Sequence, residues 1–225
     1  MNSDLPKVLH EINGKSLIEH VISTASKLNA DKTIAIIGYK KEIVQNKLSH
    51  LNIEYAIQDQ QLGTGHAVKQ CEKNIKNISG DMLILSGDVP LISYQTLLNL
   101  IETHKENKSK ASLISAIIKD PSGYGRIKRN EKKQFIEIVE HKDANKDELL
   151  INEINAGIYI FDIKTLFNYL SKISNDNKQN EYYLGDVLQH IDKDQISVHI
   201  TTNINEISGI NNKEQLSEII KENII

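Results

Sequence analysis

Hydrophobic positions along this chain follow two spacings in turn. Between residues 15 and 29, Leu17, Ile18, Val21, Ile22, Ala25 and Leu28 recur three or four apart, the spacing of one buried helix face. The run Thr33-Ile34-Ala35-Ile36-Ile37 then stops at Gly38, as a buried strand would. Residues 40–51 return to helical spacing with Ile43, Val44, Leu48 and Leu51, and 53–58 reads as a second strand. A helix over 64–77 faces Ala67, Val68, Cys71 and Ile75 inward. Met82-Leu83-Ile84-Leu85 is a third buried strand, and Ser93 is placed to cap a helix that buries Leu97, Leu98 and Ile101.

Three such strand–helix alternations predict a parallel sheet covered on both faces. After residue 110 the pattern is more mixed, with strands predicted over 111–119, 126–128, 135–140 and 154–161. Helices are predicted over 163–171, 184–193 and 213–223, with a polar loop over 171–179. No repeat and no linker divides the chain, so residues 1–225 read as one domain. The expected class is α/β, with a mixed, mostly parallel sheet flanked by helices. No convincing strand precedes the helix that starts near residue 15. A Gly-rich turn from a first strand into a helix, the usual phosphate cradle of open nucleotide-binding sheets, is likewise missing from the pattern.

Charge and composition narrow the classes. With 30 acidic against 27 basic residues the net charge is −3, and no basic surplus points to nucleic acid. A single cysteine, Cys71, excludes an internal disulfide and sits on an apolar helix face as a core residue. No apolar run approaches the roughly 18–20 residues of a membrane span, and the start lacks the apolar core of a signal peptide. A cytoplasmic protein with neither nucleic-acid nor membrane partners is expected. The eight histidines show no zinc-ligand spacing, and no Walker A or G-x-S-x-G sequence occurs.

Five segments could carry chemistry. In Ser86-Gly87-Asp88-Val89-Pro90, Asp88 follows an apolar strand, at the edge where open α/β sheets bind ligands. A carboxylate there suits Mg²⁺, and equally a helix cap or a closed turn. In Gln58-Asp59-Gln60-Gln61-Leu62-Gly63-Thr64-Gly65-His66, two glycines permit close backbone approach, and a Gln amide can match a pyrimidine edge. The alternative is a simple turn with Thr64 as N-cap. Gly123-Tyr124-Gly125-Arg126, with Val139-Glu140-His141-Lys142-Asp143, reads as a site or as a tight turn and a charged hairpin edge. Glu153-Ile154-Asn155-Ala156-Gly157 and Gly209-Ile210-Asn211-Asn212 are the remaining two, and Asn211 also fits a helix cap.

In this order, and with Leu5-Pro6-Lys7-Val8-Leu9 ahead of them, these motifs resemble the uridylyltransferase (pyrophosphorylase) domain of bacterial bifunctional N-acetylglucosamine-1-phosphate uridyltransferase/glucosamine-1-phosphate acetyltransferases. The resemblance covers essentially the whole chain. It implies a Rossmann-like nucleotidyltransferase fold that joins UTP and N-acetylglucosamine 1-phosphate into UDP-N-acetylglucosamine and pyrophosphate. By the match, Lys7 and Asp88 are catalytic, and Asp88 and Asn211 hold Mg²⁺. Gln58, Gln61 and Gly63 read uracil, with Thr64 beside them. Gly125, Glu140 and Asn155 contact the sugar, joined by Tyr183. A homo-oligomer is left open.

The chain departs from the family at three places. The family opens with a strand and L-x-A-G-x-G-T-R-M, whose last Met aligns with Met1, so an N-terminally truncated domain with its first strand missing is expected. The family often has Thr at Gly185 and, in some members, an aromatic at Ser86. The match ends before any acetyltransferase domain. Alternatives are a non-catalytic nucleotide-sugar-binding remnant and a pyrophosphorylase for another sugar 1-phosphate.

Overall fold

A computed structural model describes residues 4–210 and 212–221. It opens with a 3₁₀ turn at Lys7–Leu9 and a hairpin of β1 (Glu11–Ile12) and β2 (Lys15–Ser16). α1 (Leu17–Ser26) starts at a capping box in which the Ser16 N–H donates to the Glu19 carboxylate at 2.8 Å. The strand–helix alternation then runs β3 (Ile34–Ile37), α2 (Lys41–Lys47), β4 (Glu54–Ile57), α3 (Thr64–Lys69), β5 (Asp81–Ile84) and α4 (Tyr94–Glu106). Ser93 caps α4, its Oγ accepting from the Thr96 N–H at 3.1 Å. The second half supplies β6 (Ala111–Ile117), β7 (Arg126–Arg129), β8 (Phe135–Val139), β9 (Glu153–Asp162), α5 (Ile163–Leu170), β10 (Ile196–Ile200) and α6 (Lys213–Lys221).

The main sheet runs β10–β6–β9–β7–β8, and β5 also pairs with β9. β9 is its organising strand. One edge is taken by β6 from Glu153 to Phe161, antiparallel. The other edge is shared: β7 meets it at Ile154, and β5 meets it from Tyr159 to Asp162. Between those two partners the register of β9 slips. Leu113 of β6 faces Tyr159 and Ser115 faces Asn155, so residues 156–158 face Ile114 alone. Gly157, with φ +71°, turns the backbone through this bulge.

The sheet is mixed, as expected, but parallel pairing is confined to β3–β4 and β10–β6 among the described strands. The expectation of a mostly parallel sheet extends the β-α alternation of the first half too far. β7 and β8 form an antiparallel hairpin, and β5, β6 and β7 all run antiparallel to β9. β3 pairs with β4 and not with β5, so no ladder of the described residues joins these two parts.

Other boundaries shift for local reasons. The helix predicted over 64–77 divides into α3 and a 3₁₀ turn at Gln70–Lys73, and the one over 184–193 is a 3₁₀ segment, Leu184–His190. β10 goes unpredicted because Ile196, Val198 and Ile200 alternate with polar residues instead of forming a continuous run. No helix among the described residues is long and apolar enough to cross a membrane.

Two apolar clusters hold the sheet. Leu113, Tyr159, Phe161, Leu166, Val187 and Leu188 pack on one side, and Leu97, Leu100, Ile114, Ile154, Ile158 and Ile160 on the other. A third, around Ala35, Ile37, Val44 and Leu48, fixes β3 to α2. Cys71 is buried, and burial pushes its thiol up to about 11, so it stays an unreactive core residue. Phe161 is fully buried and stacks on Tyr159 at 5.7 Å. Phe161→Ala is expected to cost about 3–5 kcal/mol, read as a lower urea midpoint. Ile117→Ala, at a position 62% exposed, is expected to stay within about 0.5 kcal/mol of the native chain.

Candidate active site

Strand ends and tight turns set the polar side chains of the cleft. Beyond β4, the Gln58 Nε2 donates to the Gly63 carbonyl at 3.0 Å and lies 3.1 Å from His66 Nδ1. The Gln61 Nε2 donates to the Gln58 carbonyl at 3.1 Å. Gly38, at the end of β3, lies directly beneath them. A Cβ there would come within 2.7 Å of both the Gln58 oxygen and the Gln61 Nε2, so only glycine lets the loop sit down.

The same loop is fastened to a distant segment. The Tyr182 N–H donates to the Leu62 carbonyl at 2.8 Å, and the Gly65 N–H donates to the Tyr182 carbonyl at 2.8 Å. Gly63 has φ +105°, and a Cβ would meet Tyr182 backbone atoms at 2.6 and 2.7 Å. Thr64 is not the N-cap of α3, because Gly63 holds that position. Its hydroxyl instead accepts from the Leu184 N–H at 3.0 Å.

Asp88 lies just beyond β5, and its carboxylate takes the Lys7 ammonium at 2.5 Å. It caps no helix, since Ser93 serves α4. Both side chains keep partial exposure, 36% for Lys7 and 22% for Asp88, so the pair faces the cleft. The Asp88 carbonyl accepts from the Ile210 N–H at 2.9 Å. Asn211, the next residue, lies outside the described residues. No group of three or more His, Cys, Asp or Glu able to enclose an ion occurs among the described residues. A lone hard carboxylate at a strand end fits Mg²⁺, which keeps waters and draws other ligands from phosphate.

The third part forms around the β9 bulge. Asn155 is buried and donates its backbone N–H to the Gly125 carbonyl at 2.9 Å. Its Oδ1 accepts from the Gly157 N–H at 3.1 Å, and its Nδ2 donates to the Tyr159 hydroxyl at 2.6 Å. Glu140 follows β8 and packs on Gly125, where a Cβ would lie 3.0 Å from Glu140 Oε1. No hydrogen-bond donor among the described residues serves the Glu140 carboxylate. Burial, reinforced by Asp186, Asp143 and Glu181, pushes this carboxyl up to about 7. A half-buried acceptor without donors is what a polyhydroxyl ligand would satisfy.

Tyr183 differs from its neighbours. It is buried, its hydroxyl donates to the Asp143 carboxylate at 3.0 Å, and the Gln179 Nε2 donates to it at 2.8 Å. Its polar end is thus engaged within the protein. Arg126, 1% exposed, donates to the Tyr124 carbonyl and approaches His141 Nδ1 at 3.3 Å, bracing the turn that carries Gly125.

Contacts link the three parts. Gly185 presses on Ile138 and the Tyr159 hydroxyl, and Gly157 faces Ser86, two residues before Asp88. Gly38, Tyr159 and the backbone bonds of Tyr182 are not marked in the sequence, although Tyr183 and Gly185 of the same strap are. Only the glycine after an apolar run hinted at the first. Another constellation, Ser112–His104–Asp81, has the order of a nucleophilic triad, with His104 Nδ1 2.8 Å from Ser112 Oγ. Ser112 has no exposed surface, so it meets no substrate.

A family model described as nucleotidyl transferase matches residues 2–216. The chain belongs to the nucleotidyl transferase family. It is 44% identical over 229 residues to the Bifunctional protein GlmU of Bacillus cereus (strain AH187), covering 100% of this chain and 50% of that protein. Identity to the GlmU of Clostridium botulinum (strain Eklund 17B / Type B) is 42% over 228 residues, with the same coverage. The chain therefore spans about half the length of the curated relatives it matches. Among solved structures, HddC from Yersinia pseudotuberculosis complexed with GMP-PN superposes with a TM-score of 0.69 at 18% identity, covering 99% of this chain and 92% of that one. UDP-glucose pyrophosphorylase complexed with UDP-glucose gives 0.66 at 19% identity, covering 83% and 78%. At such identities these two speak for the fold, an α/β nucleotidyltransferase fold with a mixed central sheet.

A carboxyl with a raised folded-state pKa binds its proton more tightly folded than unfolded. Its ionisation therefore removes stability as pH rises from the ordinary carboxylate range through about 7. Glu140→Gln is expected to melt with the native chain near pH 4.5 and about 7–13 °C above it at pH 8. A gap independent of pH in thermal melts would show that folding leaves the Glu140 carboxyl with its ordinary proton affinity.

Proposed function

We propose that the chain transfers UMP from UTP to N-acetylglucosamine 1-phosphate, giving UDP-N-acetylglucosamine and pyrophosphate. The observation that carries this reading is Glu140 together with Asn155 at the β9 bulge: a half-buried carboxylate without donors among the described residues, and an amide braced at both ends, as a hydroxyl- and amide-bearing sugar requires. The 44% identity to GlmU proteins along the whole chain supports the same substrates.

In this reading an oxygen of the sugar phosphate attacks the α-phosphorus of UTP. A new P–O bond forms as the bond to the β-phosphate oxygen breaks, and pyrophosphate leaves with its electron pair. Such a transfer needs positioning and charge neutralisation more than covalent help. Gln58, Gln61 and Gly63 hold the base, with Thr64 tying their loop to the strap. Gly125 leaves space for the sugar, Glu140 accepts from its hydroxyls, and Asn155 offers donor and acceptor to its substituents. Tyr183 shapes that end by holding Asp143. Lys7 leaves Asp88 to neutralise phosphate. Asp88 and Asn211 would hold Mg²⁺, which when bound draws charge from the triphosphate and steadies the leaving group. The cytoplasm is where such substrates are expected.

Pyrophosphate release by the full chain with UTP, Mg²⁺ and N-acetylglucosamine 1-phosphate is the test. Turnover is expected, with glucose 1-phosphate a much poorer acceptor, and Asp88→Ala is expected to lower it by about 10²–10³-fold or more. UDP-N-acetylglucosamine binding without turnover would favour the binding module, and preference for glucose 1-phosphate would favour another pyrophosphorylase. Activity surviving in Asp88→Ala would remove Asp88 from the phosphate site.

A further inference from the structure

We infer that Tyr159 is a positioning residue for the sugar end of the site, acting through the side-chain amide of Asn155. The inference rests on the sugar-binding role proposed for Asn155 and extends it to a residue outside the motifs.

The geometry starts from a backbone group that can only donate. The Gly157 N–H points at the Asn155 amide at 3.1 Å, so the atom facing it has to be the carbonyl oxygen. The amide nitrogen then faces the other way, onto the Tyr159 hydroxyl at 2.6 Å. Asn155 and Tyr159 are both buried, at 8% and 5% exposure, so water is a poor substitute for either partner. The amide is clamped end to end across the bulge, leaving one N–H and one oxygen lone pair for a ligand.

Tyr159 is itself held in place. Its ring stacks on Phe161, and as part of β9 it pairs with Leu113 of β6 and Ile84 of β5. With Asn155 as donor, the hydroxyl accepts, and its own hydrogen has no acceptor among the described residues. Gly185 keeps the space beside it open, where a Cβ would lie 3.7 Å from the hydroxyl oxygen. A phenylalanine fills the same volume and leaves the stack intact, but it strands the Asn155 N–H in a buried site. The amide then loses the bond that holds its nitrogen end.

Calorimetric titration of the native chain, Tyr159→Phe, Asn155→Ala and the double variant with UDP-N-acetylglucosamine and with UTP tests this. Tyr159→Phe is expected to weaken UDP-N-acetylglucosamine binding about tenfold, the worth of one buried hydrogen bond, and to leave UTP within about twofold. The double variant is expected to bind no more weakly than Asn155→Ala alone, because Tyr159 has nothing left to position. Native affinity for the nucleotide sugar in Tyr159→Phe, equal losses for both ligands, or losses that multiply in the double variant would each overturn the inference. Proton exchange of the Asn155 side-chain NH₂, followed by NMR without ligand, reads the clamp directly. It is expected to quicken about tenfold in Tyr159→Phe, and an unchanged rate would overturn the clamp. A native chain that binds neither nucleotide would sink the functional reading, while the exchange rates would still decide whether Tyr159 holds the amide.

Discussion

One strand has to satisfy three others, and the cleft follows from how it does so. β9 gives one edge to β6 along almost its whole length and divides the other between β7 and β5. The register slip at residues 156–158 falls between those two partners, where an edge is free. A regular ladder would have left Asn155 and Tyr159 on one face but about 13 Å apart, four residues along the strand. The bulge instead brings the Asn155 amide onto both the Gly157 N–H and the Tyr159 hydroxyl, with Ser86 beside Gly157. Aromatic and aliphatic packing on both faces of β9 makes that local irregularity rigid.

Electrostatics then differ at the two ends of the cleft. Asp88 has a cation in contact and partial access to water. Glu140 is half-buried, faces other carboxylates and has no donor among the described residues, so its proton is held to about neutral pH. Two carboxyls of the same chemistry thereby sit in opposite surroundings, one beside a cation and the other among carboxylates. Asp186, pushed up to about 6 by burial and by Asp143, belongs to the second environment.

Much of this was legible in the chain itself. Continuous apolar runs mark β3 and β5, helical spacing marks α1 and α4, and Ser93 marks where α4 begins. Asp88 stands out at the end of an apolar run, though a cap or turn fits it equally, whereas Glu140 and Asn155 are picked out by the resemblance of their motifs, a charged hairpin edge being an ordinary local reading of the first. What escaped was non-local. The slip in β9 depends on the register of β6, more than thirty residues away in sequence. Gly38 looked like a strand terminus, and its value lies in the approach of Gln58 and Gln61. Tyr159 read as one more apolar position, since nothing in its spacing shows that its hydroxyl meets an amide across the bulge. The expectation of a mostly parallel sheet failed likewise, because strand direction in the second half is set by pairing with β9 and not by local alternation.

The strap at Tyr182–Gly185 bears on how the molecule comes together. The loop after β4 owes its shape to backbone bonds from Tyr182, and Thr64 is tied to Leu184 across 120 residues. Short-range bonds from Gln58 and Gln61 shape the loop as well, but only these bonds fasten it to the strap. During synthesis the loop leaves the ribosome long before the segment that orders it, and its two glycines carry a large entropy to lose meanwhile. The loop is therefore completed only together with the main sheet, whose β9 and β10 also come from the last third of the chain. Ligand-binding ability is acquired late in folding and is a report on the finished molecule, whereas helix content can be native-like well before that.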